Sequence, residues 1–149
     1  STISLFMAEV LYRLVKEVEP NSEVFGFVKN SVFALDGIAE GVADFHLWFL
    51  VQLGAFLGFY PANSYVAGSY FDIIEGGFTL LRPEHNRVIE KQDAELLGRL
   101  MGCGVDELGG LHLNRVRRGE FLKALLHYFG YHLDSINKVQ SVKILSEVF

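Results

Sequence analysis

The sequence predicts an all-α fold, a bundle of about six helices with a small β-hairpin inserted within residues 60–85. Apolar residues recur at i, i+3, i+4 and i+7 over most of the chain, and Pro, Gly, Asn and Ser punctuate the recurrences. One stretch, "YPANSYVAGSYFDIIEGGFTLLRPEH", breaks the helical period. A compact domain rarely keeps so long an insert unless the insert has structure or work of its own.

Ile3, Phe6, Met7, Val10, Leu11, Leu14, Val15 and Val18 form the stripe of a first amphipathic helix that Pro20 stops. Asn21 or Ser22 can cap a second helix to about Gly37, with Val24, Phe27, Val28, Val32 and Leu35 on its apolar side. From Val42 to Phe59 apolar residues occupy nearly every side, as expected of a helix surrounded by others. Within the insert, "SYFDII", "EGG" and "FTLL" read as two β-prone runs around a glycine turn, a hairpin over 69–81. Lys91 to Met101 makes a fourth helix with Leu96, Leu97 and Leu100 inward. Asn114 caps a fifth that reaches Leu133, and Lys138 to Val148 is a sixth. No repeat or composition break divides the chain, so one domain over residues 1–149 is expected.

Composition removes several function classes. No apolar run reaches the roughly 18 to 20 residues a spanning helix needs, because "LWFLVQLGAFLGF" contains Gln52 and two glycines. Charged residues at helical spacing replace any signal-peptide block in the first twenty positions, and the single Cys103 allows no internal disulfide. A reducing cytoplasm is the simple expectation. The net charge of −5 is uneven: residues 1–110 hold 7 basic against 15 acidic side chains, residues 111–149 hold 6 against 3. The basic character sits in the last quarter.

No catalytic constellation emerges from the sequence. His127 and His132 are five apart and cannot share a helix face; Asp44 and His46, two apart, point in different directions. His85 and His112 have no partner at ligand spacing, Cys103 lacks a nucleophile signature, and Gly76-Gly77 and Gly109-Gly110 match no phosphate loop. A binding protein, not an enzyme and without a cofactor, is the expectation. The group that departs from the bland pattern is "NRVRRGEFLK". Arg115, Arg117 and Arg118 fall in the first turn of a helix, where the macrodipole opposes positive charge. With Lys123 they make a basic knot suited to a phosphate backbone or an acidic partner tail, with ordinary solvated charge as the alternative.

In this order and spacing, "AEVLYRLVKEVEP", "FHLWFLVQLGAFLGFYP", "GGF", "LLHYFGYHL" and "QSVKIL" resemble the C-terminal helical domain of the RecO recombination mediator. The resemblance covers essentially the whole chain. It implies a DNA repair protein that acts with RecR and single-stranded-DNA-binding protein, promoting strand annealing and recombinase loading. Many members carry a four-cysteine zinc knuckle after the helix ending like "LGFYP". This chain has Ser64, Tyr65, Gly68 and Ser69 there and no cysteine in the second half, so zinc is not carried over. Tyr65, Tyr70, Phe71, Ile73 and Phe78 are expected to replace the metal staple with apolar packing. The family places an OB-fold ahead of this domain, and the chain begins at the helical part. Single-stranded DNA binding is therefore expected to be weak in this piece. A stand-alone helical scaffold that binds an apolar protein segment is the alternative reading.

Overall fold

The apolar stripes close on one another in a computed structural model that describes residues 1–17, 22–38, 40–59 and 64–149, the side chains of 15–17 and 135 aside. Val18, Pro20 and the Asn21 cap lie outside the described residues, as do the first four positions of the insert. Six α-helices carry the fold: α1 (Thr2–Glu17), α2 (Ser22–Gly37), α3 (Phe45–Phe56), α4 (Lys91–Met101), α5 (Arg115–His132) and α6 (Val142–Val148). Short 3₁₀ turns precede α3 at Val42–Asp44, follow α4 at Val105–Gly110 and link α5 to α6 at Asp134–Lys138. The fold is all-α with a small inserted β element.

On α1 the predicted stripe is the buried one, with Ile3, Phe6, Met7, Val10 and Leu14 inside. Helix α3 is the centre, touching α1, α2, α4 and α5. Phe45, Leu47, Phe49, Leu50, Val51 and Leu53 are fully buried on its several sides. Its polar residues have work to do. Trp48 Nε1 donates to the Cys103 carbonyl and Gln52 Nε2 to the Leu100 carbonyl, each at 2.8 Å. These bonds tie α3 to the end of α4 and to the turn that follows it. No helix of the described residues is long and apolar enough to cross a membrane.

The buried face of α2 and the start of α6 differ from the sequence expectation. The face α2 buries is Val24, Val28, Ser31 and Leu35, which rotates Val32 outwards to 39% exposure. The last helix starts at Val142 instead of Lys138 because Glu9 on α1 reaches the chain ahead of it. The Glu9 carboxylate accepts from the backbone N–H groups of Gln140 and Ser141 at 2.8 Å each, which holds the two residues ahead of α6 against α1. Desolvation works to raise the Glu9 pKa, and these two N–H bonds overcome it and hold the carboxyl below its ordinary value.

The insert holds a three-stranded antiparallel sheet of order β2-β1-β3, from β1 (Tyr70–Asp72), β2 (Gly77–Thr79) and β3 (Val88–Ile89). The β1–β2 hairpin was expected; β3 adds to it from beyond residue 85. Asp72 Oδ1 accepts from the N–H groups of Ile74 and Glu75, and Gly76, at φ 71°, closes the turn. Phe71 and Ile73 are completely buried. The Phe71 ring lies 5.1 Å from both Phe78 and Tyr128, and Tyr65 stands edge-on to Phe78 at 5.4 Å. Tyr128, fully buried on α5, donates its hydroxyl to the Phe59 carbonyl at 2.7 Å. The sheet is thus fastened to α5 by rings.

The zinc-knuckle positions do not fit a metal ion. Tyr65 packs against Gly98 of α4, Gly68 offers no side-chain donor, and the buried Ser69 hydroxyl is spent on the Val66 carbonyl at 2.7 Å. Among the described residues no group of three or more His, Cys, Asp or Glu is arranged to hold one.

Candidate partner-binding site

The four basic residues singled out by sequence end in different environments. Asn114 caps α5 as expected, its side-chain oxygen accepting from Arg117 N–H at 2.9 Å. Arg118 then turns inward. Its Nε donates to Asp44 Oδ1 at 2.7 Å, Nη2 to the Leu113 carbonyl at 2.9 Å and Nη1 to the Phe149 carbonyl at 3.2 Å. Arg117 bonds Asp93 of α4 at 2.7 Å and Glu120 at 3.2 Å. Arg115 stays exposed and donates through Nε and Nη2 to the Ser146 and Glu147 carbonyls at the end of α6. A cation against the C-terminal carbonyls of one helix offsets its unfavourable place at the start of another. The three arginines therefore tie α5 to α3, α4 and α6. Lys123, two turns further on, faces solvent.

Asp44 and His46 make no dyad, but both sit against Arg118. Burial pushes the Asp44 carboxyl above its ordinary value, while the Arg118 hydrogen bond and charge draw it back. His46 is 2% exposed and its Nδ1 has no hydrogen-bond partner among the described residues. Burial first, and the Arg118 charge second, bring its pKa down to about 4, so the imidazole is neutral at neutral pH. Burial likewise pushes the Cys103 thiol up, which suits an inert cysteine.

Two histidines have partners that local spacing did not reveal. His85 Nε2 lies 3.1 Å from Asp72 Oδ1, and its Nδ1 accepts from the Arg87 backbone N–H at 3.0 Å. His127 Nε2 lies 3.1 Å from Arg87 Nη1. His132 stacks on Phe59 at 4.8 Å, apart from His127.

Arg115 and Arg118 line concavities at the start of α5, and an open one further along lies where Lys123, Leu126 and His127 face Ile136, Asn137, Val139 and Val142. It is an open groove of about 580 Å³. Its floor is aliphatic, its rim carries Lys123 and His127, and exposed Lys138 and Lys143 adjoin the lining residues in sequence. An apolar floor under a basic rim can take an extended segment that carries both carboxylates and apolar side chains. Sequence reading placed Lys123 in the right half of the chain but missed the groove, because its other wall comes from the 3₁₀ turn and the start of α6.

The family description "Recombination protein O C terminal" matches residues 1–140. Among curated relatives, the DNA repair protein RecO of Bacteroides fragilis is 36% identical over 151 residues. That of Flavobacterium psychrophilum is 33% identical over 150 residues, and that of Azobacteroides pseudotrichonymphae 31% over 150. In each case the alignment covers 100% of this chain, which spans 61–62% of the relative's length. No solved structure matches the chain. A match to the family description over nearly the whole chain, with relatives above 30% identity along its full length, shows that the chain belongs to the recombination protein O family, in the part that family's C-terminal description covers.

Proposed function

We propose that residues 1–149 form one helical domain of a non-enzymatic, cytoplasmic DNA repair and recombination mediator. The domain supports binding of RecR and single-stranded-DNA-binding protein, and through them strand annealing and recombinase loading. The observation that carries the partner assignment is the groove beside α5, aliphatic below and basic above. It suits the acidic tail of a single-stranded-DNA-binding protein, whose carboxylates would meet Lys123 while its apolar side chains rest on Leu126, Val139 and Val142.

Of the four basic residues expected to meet nucleic acid or an acidic tail, Lys123 makes the direct contact in this reading. Arg115, paired with carbonyls alone among the described residues, adds positive potential nearby. Arg117 and Arg118, held by Asp93 and Asp44, fix the start of the helix that presents Lys123. Titration of the tail peptide against the chain and its Lys123→Glu variant tests the assignment. Sequence-independent scaffolding of any apolar segment would be indifferent to that charge.

A further inference from the structure

A second surface on α5 shares Lys123 and His127 with the rim of the groove and adds Tyr131 and Arg87, which the groove does not use. Lys123, His127 and Tyr131 follow at i, i+4 and i+8, and all three are exposed. By the helical rise they mark out about 12 Å along one side of the helix. Arg87, from the segment that leads into β3, is laid over the end of this row. Its guanidinium carbon is 5.4 Å from the Tyr131 ring centroid, and its Nη1 is 3.1 Å from His127 Nε2. Arginine has only donors, so in this bond His127 Nε2 accepts and the ring proton sits on Nδ1 as a further donor.

The arrangement is held from behind. The Arg87 N–H donates to His85 Nδ1, His85 is fixed by Asp72, and the Arg87 carbonyl accepts from the Ile73 N–H at 3.0 Å. Tyr131 in turn meets His132 edge-on at 5.1 Å, and His132 is stacked on Phe59. A guanidinium delivered from a fixed backbone beside an anchored ring is preorganised for a ligand.

Arg13, Arg82, Arg99, Arg117 and Arg118 each have a carboxylate within ion-pair distance, whereas among the described residues Arg87 and Lys123 have none. Arg115 and several lysines share that lack, and what distinguishes Arg87 is its fixed place over the Tyr131 ring and against His127. In an acidic chain, two uncompensated cations flanking an imidazole donor and a ring that is 42% exposed form a combined phosphate and stacking surface. We infer that Arg87, Lys123, His127 and Tyr131 form a contact strip for single-stranded nucleic acid, with phosphates on Arg87 and Lys123 and a base stacked on the Tyr131–Arg87 platform. Stacking on an aromatic face accepts any base, so the strip is sequence-tolerant, and its phosphate contacts are salt-sensitive. The inference rests on the domain's proposed place in single-strand repair but not on the tail-binding groove.

The test is fluorescence anisotropy of a labelled oligothymidine with the 149-residue chain at several salt concentrations. Variants are Tyr131→Ala, Tyr131→Phe and Arg87→Gln, each with its melting temperature. Loss of one stacked base weakens binding about five-fold or more, so Tyr131→Ala should do so while Tyr131→Phe binds as the parent does. Arg87→Gln should lower the salt slope by about one unit. Absence of oligonucleotide binding by the parent chain overturns the strip, as do unchanged affinity and slope in Tyr131→Ala and Arg87→Gln. Loss of acidic tail-peptide binding in these two variants, with oligonucleotide binding intact, reassigns the strip to a protein partner. A chain that binds the tail peptide but no oligonucleotide refutes only the strip; one that binds the oligonucleotide through Tyr131 but no tail peptide refutes only the groove.

Discussion

Arg118→Met should be the most destabilising single change at the start of α5. Among the described residues its guanidinium is the sole cation bonded to Asp44, whose side chain is 7% exposed, and it also satisfies the Leu113 and Phe149 carbonyls. Removing one partner of a buried pair costs about 3 to 5 kcal/mol, because the remaining charge stays buried without compensation. Since 20% of the Arg118 side chain is exposed, the lower end applies, about 3 kcal/mol. For a domain of this size that is a fall in melting temperature of about 6 to 12 °C.

The pH dependence identifies the mechanism. Burial already raises the Asp44 pKa, and the two influences that lower it both come from Arg118. Without Arg118 the folded-state pKa climbs further above the unfolded value, so the charged carboxylate costs stability at neutral pH. That cost should fade as pH drops through the raised pKa and the acid takes its proton. Urea denaturation followed through Trp48 should therefore show part of the loss recovered on mild acidification, and a Asp44→Asn/Arg118→Met double variant should recover most of it at neutral pH. An Arg118→Met protein within about 1 kcal/mol of the parent would refute the reasoning, leaving Arg118 a solvated cation with its charge available to a ligand.

Phe71→Ala removes a fully buried ring that joins the sheet to α5 and should cost about 3 to 5 kcal/mol; an unchanged melting temperature would show that rings do not fasten the insert. His46 supplies a second pH effect. Its folded pKa of about 4 lies below the ordinary 6.5, so its contribution is complete above the unfolded pKa and is lost as pH falls towards 4, by about 3 kcal/mol in all. His46→Leu should flatten that part of the profile in denaturation midpoints measured at neutral and acid pH, and an equally steep profile would contradict the assignment.

Helical periodicity gave most of the fold because it is local. Ile3, Phe6, Met7, Val10 and Leu14 had one face to bury, and they bury it. The all-round apolar run 42–59 marked the central helix for the same reason. What escaped sequence reading depends on residues far apart in the chain. Val88 and Ile89 are too short a run to declare a strand and become one by pairing with Phe71 and Asp72. Lys138 belongs to a 3₁₀ turn, and Glu9, distant in sequence, holds Gln140 and Ser141 between that turn and α6.

The same limit governs the site. The arginines at the start of α5 look unpaired in sequence because Asp44 and Asp93 lie 74 and 24 positions away. Arg87 and Tyr131, the members of the strip that local pattern could not bring together, are joined only once the sheet docks on α5. Lys123 was legible as charge; the aliphatic floor beside it was not, since Ile136, Val139 and Val142 belong to other elements.

Calorimetric titration of the acidic tail peptide of a single-stranded-DNA-binding protein into the 149-residue chain tests the central claim most directly, with Lys123→Glu and Val142→Asp as the groove variants. The account predicts saturable binding by the parent that weakens as salt rises, because the rim contact is ionic, and loss of binding in both variants with their melting temperatures retained. Absence of binding by the parent chain, or binding that both variants preserve at every salt concentration, would contradict it.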